Sequence, residues 1–172
     1  QFEATVFCSS LNQFARKSIT VESKELAEWA NVIFHHLTEA ALRYDAVPVK
    51  YVGDGFLCFF SGSDHANRAL KAAVHAKQII QNPSLIITLN SGDIYLGTIG
   101  HPDYCCKDIC GQAVNLAFLI MDYVAHHCPV GIGLTESTAN QVDKAVEFTR
   151  HAQVCIEAID ENITIFEPKL KS

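Results

Sequence analysis

Apolar and polar residues change their spacing several times along this chain, and each change marks an element. Thr5-Val6-Phe7-Cys8 is a short apolar run and predicts a buried strand. From Ser23 onward Leu26, Trp29, Ile33, Leu37 and Tyr44 recur with helical spacing, with Glu25, Glu28 and Glu39 between them, which predicts an amphipathic helix of about five turns. Val47 to Val52 and Phe56 to Phe60 read as strands joined by Gly53-Asp54-Gly55, a strong hairpin signal. Asp64 is placed to cap a second helix whose apolar face holds Ala66, Leu70, Ala73, Val74, Ala76, Ile79 and Ile80, and Asn82-Pro83 ends it. Leu85 to Leu89 and Ile94 to Leu96 suggest two further strands with Asn90-Ser91-Gly92-Asp93 as their turn, followed by a polar loop from Gly100 to Lys107. Gly111 opens a third helix running to about His127. Val130 to Leu134 is a strand, and Thr135-Glu136-Ser137-Thr138 starts a short helix. Val154 to Ile156 and Ile163 to Phe166 close the chain as a hairpin. Helices alternate with strands, yet adjacent strands are hairpins. The fold class is therefore α+β, an antiparallel sheet with helices packed against it. No Pro/Gly/Ser-rich linker interrupts the pattern, so residues 1–172 form a single domain.

Composition narrows the function. Thirteen Lys and Arg against nineteen Asp and Glu give a formal charge of −6, which excludes a generally basic nucleic-acid binder. The 49% apolar content and ten Phe belong to a chain with a real core. The uninterrupted apolar runs are too short to span a bilayer, so no membrane contact is expected within this segment. The chain starts at Gln1 with neither Met nor a signal peptide, and the expectation is a piece excised from a longer protein. Its expected location is the cytoplasm, as a free protein or as the cytosolic part of a larger or membrane-attached one.

Seven cysteines cannot all pair with one another. Cys8, Cys58 and Cys155 lie in apolar runs and read as small buried hydrophobes, in keeping with a reducing compartment. Cys105, Cys106 and Cys110 cluster, and His126-His127-Cys128 follows them. No C-x-x-C or H-x-x-x-H spacing is present to support zinc. Zinc on that weak spacing, a redox-sensitive thiol in the 105–110 segment and thiols without any role all stand as readings, the last being the plainest. Asn162-Ile163-Thr164 matches the glycosylation sequon, which means little in a cytosolic chain.

Three segments, taken in order, resemble the class III nucleotidyl cyclase catalytic domain, the fold of adenylyl and guanylyl cyclases, with its ferredoxin-like core. Phe7-Cys-Ser-Ser10-Leu-Asn-Gln-Phe14 stands where that family has F-A-D-I-x-G-F. Val49-Lys50-Tyr-Val-Gly53-Asp54-Gly55 is similar to its K-x-x-G-D hairpin. Gly92-Asp-Ile-Tyr-Leu-Gly97-Thr-Ile-Gly100 and Asp108-Ile-Cys-Gly111-Gln-Ala-Val114-Asn115-Leu-Ala117 are similar to its G-x-x-x-x-G-x-x-G and D-x-x-G-x-x-V-N-x-A blocks. The resemblance runs from about Thr5 to Glu167. It implies two domains packed head to tail, ATP or GTP at their interface, and two metal ions, usually Mg²⁺, with Mn²⁺ as the alternative. The implied reaction is attack of the ribose 3′ oxygen on the α-phosphorus with release of pyrophosphate. That chemistry needs metal ions to activate the hydroxyl and positive donors to stabilise the phosphorane.

The resemblance assigns roles residue by residue. Asp54 matches one metal carboxylate, but Ser10 stands at the other, and a neutral hydroxyl is a poor ligand for a hard dication. Ser9-Ser10-Leu11 is similar to the non-metal half of heterodimeric cyclases. Lys50 and Asp108 match the positions that donate to adenine N1 and accept from its amino group, a pair suited to adenine over guanine. Asn115 matches the catalytic residue that orients the ribose. Leu119 stands where an Arg would grip the triphosphate, and Val154-Cys-Ile-Glu157-Ala158-Ile lacks the Lys of the family's V-K-G stretch.

These substitutions separate fold from activity. The first expectation is a degenerate adenylyl-cyclase-like domain serving as a dimerising, adenine-nucleotide-binding regulatory module in cyclic-nucleotide signalling. The alternative is an adenylate cyclase that turns ATP into cyclic AMP as one half of a mixed site with a metal-bearing partner. A second alternative is a structural or thiol redox-sensing domain without nucleotide. The expected partners are thus ATP or another adenine nucleotide and a homodimeric or heterodimeric cyclase domain, with Mg²⁺ or Mn²⁺ needed only for turnover. Val49, Tyr51, Phe56 and Phe118 flank the site segments as a potential contact surface, with Phe56 and Phe118 assigned first to the core.

Overall fold

The computed structural model of the chain describes residues 1–171. Inside its sheet lies strand β1 (Phe2–Leu11), which pairs antiparallel with β3 (Gly55–Ser61) on one side and with β4 (Leu85–Ile99) on the other. With β2 (Val47–Val52), β6 (Ile132–Thr135), β7 (Phe148–Ile156) and β8 (Glu161–Pro168) the sheet runs β2-β3-β1-β4-β6-β8-β7, and β5 (Cys106–Cys110) joins the far end of β4. Every pairing is antiparallel except β4 with β6. The α+β class and the antiparallel character of the sheet are as expected.

Period-two alternation along β1 explains why it is an interior strand. Phe7 and Leu11 enter one core and Ala4, Val6 and Cys8 the other, so both faces need cover. Helices α2 (Ser23–Leu42) and α3 (His65–Ile80) cover the first face. The buried side of α3 is Ala66, Ala69, Leu70, Ala72, Ala73 and Ala76. Five alanines let its backbone approach the sheet and α2 closely. Helices α4 (Gln112–Leu119) and α5 (Met121–His127) cover the second face. Two short helices complete the chain: α1 (Phe14–Thr20), unforeseen in the sequence, and α6 (Glu136–Ala139). Phe14 of α1 stacks on Trp29 with ring centres 6.4 Å apart.

Several expectations are corrected. Asn90-Ser91-Gly92-Asp93 is not a turn: β4 is one fifteen-residue strand. The turn chemistry is overridden because Asn90 and Ser91 find partners inside the protein. The Asn90 side chain donates to the Ala113 carbonyl (2.8 Å) and accepts from Thr135 (2.5 Å) and Ser137 (3.0 Å). The Ser91 hydroxyl bridges Thr5 (2.7 Å) and Thr138 (2.9 Å). The third helix is two helices, bent at Ile120 (φ −82°, ψ −9°), because α4 packs into the core under β1 and β3 while Ile120 and Val124 pack into a separate one with β7 and β8. Asp64 precedes α3 in the left-handed region (φ 61°) and its side chain accepts from the Asn67 amide at 2.6 Å, without capping the helix. Val74 and Ile80 are only half-buried, and Ile79 is exposed. Cys8 and Cys58 are buried as expected, but Cys155 is exposed, on the outward face of β7. No helix among the described residues is long and apolar enough to cross a membrane.

Candidate active site

The β2–β3 hairpin brings Asp54 against the end of β1. Gly53 takes the left-handed conformation that the turn needs (φ 57°), and a Cβ at Gly55 would lie 2.7 Å from the Ser9 carbonyl oxygen, so only glycine lets the hairpin close on β1. The Ser9 hydroxyl accepts from the Phe56 amide at 3.1 Å and fixes the approach. As a result Asp54 Oδ2 accepts two hydrogen bonds, from the Ser10 hydroxyl at 2.8 Å and from the Leu11 amide at 2.9 Å. The two positions that the resemblance pairs as metal carboxylates are therefore neighbours in space, one of them a hydroxyl.

Lys50 lies on β2 just after an irregularity in its pairing with β3. Pro48 faces Cys58 and Lys50 faces Leu57, so Val49 is an extra residue and the strand is re-aimed there. Lys50 Nζ reaches across to β5 and pairs with Asp108 Oδ2 at 2.6 Å. Asp108 Oδ1 accepts from the Ile109 amide at 2.8 Å. The carboxylate is thus held on both oxygens, beside a lysine side chain that is 42% exposed. A donor and an acceptor stand side by side at the surface in fixed geometry, an arrangement that can read the edge of a purine.

Asn115 and Leu119 are one turn apart on α4 and line the same apolar groove of about 640 Å³, with Phe118, Ala158, Ile159 and Ile163. Asn115 is exposed there, and Leu119 is half-buried and also packs against the core beneath β7 and β8. Phe118, assigned first to the core, is 45% exposed, whereas Phe56 is buried as expected. Tyr51 is 50% exposed on β2 and Val49 is half-buried. Ile163 and Phe118 were missed as groove residues because nothing in an apolar strand or helix position marks which face it turns outward.

The structure therefore brings the six positions together as three pairs: Ser10 with Asp54, Lys50 with Asp108, and Asn115 with Leu119. Among the described residues no hydrogen bond or ion pair joins one pair to the next.

Comparison with solved structures bears on the fold. The adenylyl cyclase CyaB from P. aeruginosa superposes with a TM-score of 0.88 at 18% identity, over 99% of this chain and 95% of that one. The fold is that of a class III cyclase catalytic domain. The guanylate cyclase domain of RhGC from Catenaria anguillulae, solved in complex with GTP, gives a TM-score of 0.87 at 20% identity over 99% and 98% of the two chains. A rhodopsin-guanylyl cyclase catalytic core of converted specificity, solved in complex with ATPαS, gives 0.82 at 21% identity over 98% and 96%. No protein-family model matches the sequence, and no curated protein matches it. The cyclase fold is thus visible in backbone geometry at an identity where the sequence alone yields only short motifs.

Magnesium or manganese, implied by the cyclase fold, is tested by the donors at the hairpin. Asp54 is a single carboxylate with one oxygen committed to two protein donors, and its neighbour Ser10 is neutral. Mg²⁺ is ordinarily held by one or two carboxylates together with substrate phosphates. The donors here do not fit a two-ion clamp. At most Asp54 Oδ1 could hold one ion with help from a nucleotide.

Proposed function

We propose that this domain is a dimerising, adenine-nucleotide-binding regulatory module of cyclic-nucleotide signalling, built on the cyclase fold and largely without turnover. The observation that carries the reading is the Ser10 hydroxyl donating to Asp54 where a second carboxylate would be needed. Leu119 adds to it, because an arginine acting on a transferring phosphoryl group is worth roughly 10³–10⁵ in rate. Solved cyclase structures hold either GTP or an ATP analogue, so the fold does not choose the base. The choice falls to side chains, and here Lys50 and Asp108 offer a donor and an acceptor suited to adenine.

Dimerisation is part of the proposal because the resemblance implies it. Within one chain no hydrogen bond or ion pair joins the Asp54 carboxylate to the Lys50–Asp108 pair, and the cyclase resemblance places the nucleotide between two domains. The exposed Tyr51 and Phe118 would lie in the contact between them. A second reading, one half of a mixed adenylate cyclase site, is favoured by the intact Lys50–Asp108 pair with Asn115. In it the partner supplies both metal carboxylates.

Calorimetric titration with ATP and GTP in the presence of Mn²⁺ tests the binding claim: ATP should bind and GTP should bind more weakly. An assay for cyclic AMP and pyrophosphate should give only background from the isolated domain. Turnover at a family-like rate would overturn the inactive reading, and turnover only on mixing with a metal-bearing cyclase domain would support the half-site. Sedimentation showing only monomer at high concentration would remove the dimer.

A further inference from the structure

On the side of the domain away from the Asp54 hairpin, Cys128, His151 and Glu167 meet. Cys128 follows the C-terminus of α5, His151 lies on β7 and Glu167 on β8. Strand pairing explains the meeting. His151 faces Ile165 across the β7–β8 ladder, and Glu167, two residues on, shares that face as its diagonal neighbour. The ladder is irregular just after His151, with Gln153 in the left-handed region (φ 58°), and the strand turns His151 in toward α5.

Three details distinguish this cluster from a simple ion pair. Cys128 Sγ and Glu167 Oε1 converge on the same ring nitrogen, His151 Nε2, at 3.8 and 3.2 Å. In a nucleophile relay the carboxylate and the thiol would occupy opposite ring nitrogens. The other nitrogen, Nδ1, is 3.0 Å from the Tyr123 hydroxyl, and in the tautomer in which Nδ1–H donates to that oxygen the Nε2 lone pair faces the shared centre. Likewise Glu167 Oε2 accepts from the Val130 amide at 2.8 Å, leaving Oε1 for that centre. Around a tetrahedral zinc, bond lengths of about 2.3 Å to sulfur and 2.0–2.1 Å to nitrogen and oxygen place S and N about 3.5 Å apart and N and O about 3.3 Å apart. The observed separations are close to both. All three ligand atoms lie within 4.8 Å of one another. Cys128 is 4% exposed, and the His151 and Glu167 side chains are 16% and 7% exposed.

We propose that Cys128, His151 and Glu167 form a zinc-binding site, with water in the fourth position, that pins the end of α5 to the β7–β8 hairpin. A thiolate, an imidazole and a carboxylate suit zinc better than magnesium or calcium, which take oxygen ligands. The ion would fix two walls of the Asn115–Leu119 groove together. Helix α5 continues from α4, and the turn between β7 and β8 supplies Ala158 and Ile159. This site shares no residue with the proposed nucleotide site, and its test does not depend on nucleotide binding.

The test uses the domain with Cys105, Cys106, Cys110 and Cys155 changed to Ser, so that only Cys8, Cys58 and Cys128 remain as thiols. After chelation and dialysis it is titrated with Co²⁺. Saturation at about one equivalent is expected, with a thiolate-to-cobalt charge-transfer band and the intense visible bands of tetrahedral cobalt, all abolished by Zn²⁺. Cys128→Ser should remove the charge-transfer band, and Glu167→Gln should weaken binding at least about tenfold. Zinc at roughly a hundredfold over its Kd should raise Tm by roughly 5–10 °C. A parent protein with no charge-transfer band, or a band of full amplitude in Cys128→Ser, overturns the site. Should that variant fail to fold, zinc X-ray absorption of the loaded parent decides: one sulfur neighbour near ~2.3 Å supports the site and a shell without sulfur overturns it.

Discussion

At one end of the candidate site Lys50 and Asp108 hold each other at 2.6 Å, with the second Asp108 oxygen tied to the backbone. Elsewhere in it Asp54 has only a hydroxyl and an amide for company, and on α4, apart from Asp54, Leu119 puts an apolar side chain where the resemblance expects an arginine. In the function proposed above, the first pair serves recognition of a base, and the second group, Asp54 and Leu119, lacks what bond-making at phosphorus needs. Recognition and turnover rest on different side chains on different elements, so a chain can keep the means for one and lose the means for the other with its backbone unchanged.

The widest gap between the two groups should close on adding charge at the second. Ser10→Asp with Leu119→Arg is expected to raise cyclic AMP formation from ATP and Mn²⁺ by roughly 10³-fold or more. A rate still at background would mean that the difference lies elsewhere. Removing charge at the first pair has a smaller effect: Lys50→Ala should weaken ATP binding by roughly 10–150-fold in calorimetry, the loss of one hydrogen bond to a charged group. Circular dichroism should be unchanged. At the hairpin, Asp54→Ala leaves the Ser10 hydroxyl and the Leu11 amide without their acceptor, and urea unfolding should show a loss of about 1–3 kcal/mol. Ser10→Ala removes one of those donors and should cost about 0.5–1.5 kcal/mol, with ATP binding unaffected.

The smallest effect uses Cys8, two residues before Ser10, as a reference for the intact strand. Burial pushes the Cys8 and Cys58 thiols well above their ordinary 9.0. Neither should be alkylated in the native protein at pH 8, while Cys106, Cys110 and Cys155 should be. The unfolded chain ionises these two thiols near pH 9 and the folded one does not. Their contribution to stability is therefore complete below pH 9 and declines as pH rises above it. Protection of Cys8 in the Ser10 variants would show that their effects are local.

Much of this architecture is legible in the sequence, because apolar spacing on β1, α2 and the β2–β3 hairpin agrees with local propensity and turn chemistry. The failures have a common cause. Asn90 and Ser91 carry turn-forming side chains, but partners 23 to 86 residues away satisfy them inside the sheet. Phe118 looks like core and Cys155 like a buried thiol until the packing of α4 and the outward face of β7 are known. The site pairs were nameable from motifs, but the Lys50–Asp108 contact spans 58 positions and depends on an irregular strand. Cys128, His151 and Glu167 have no spacing signal at all. They lie on or beside three different elements, and only strand pairing makes them neighbours.

Strand β4 has one further consequence. Its residues 85–94 pair with β1, 87–89 also with β6, and 95–99 with β5. An amide in a strand bonds to one neighbour only, and that of Ile87 donates to the Gly131 carbonyl beside β6 at 2.8 Å, but Ile87 to Leu89 are fully buried between β1 and β6, where fraying of the sheet edges does not reach. In hydrogen–deuterium exchange their amides should be the last to exchange, and their rate should report the free energy of unfolding the entire domain.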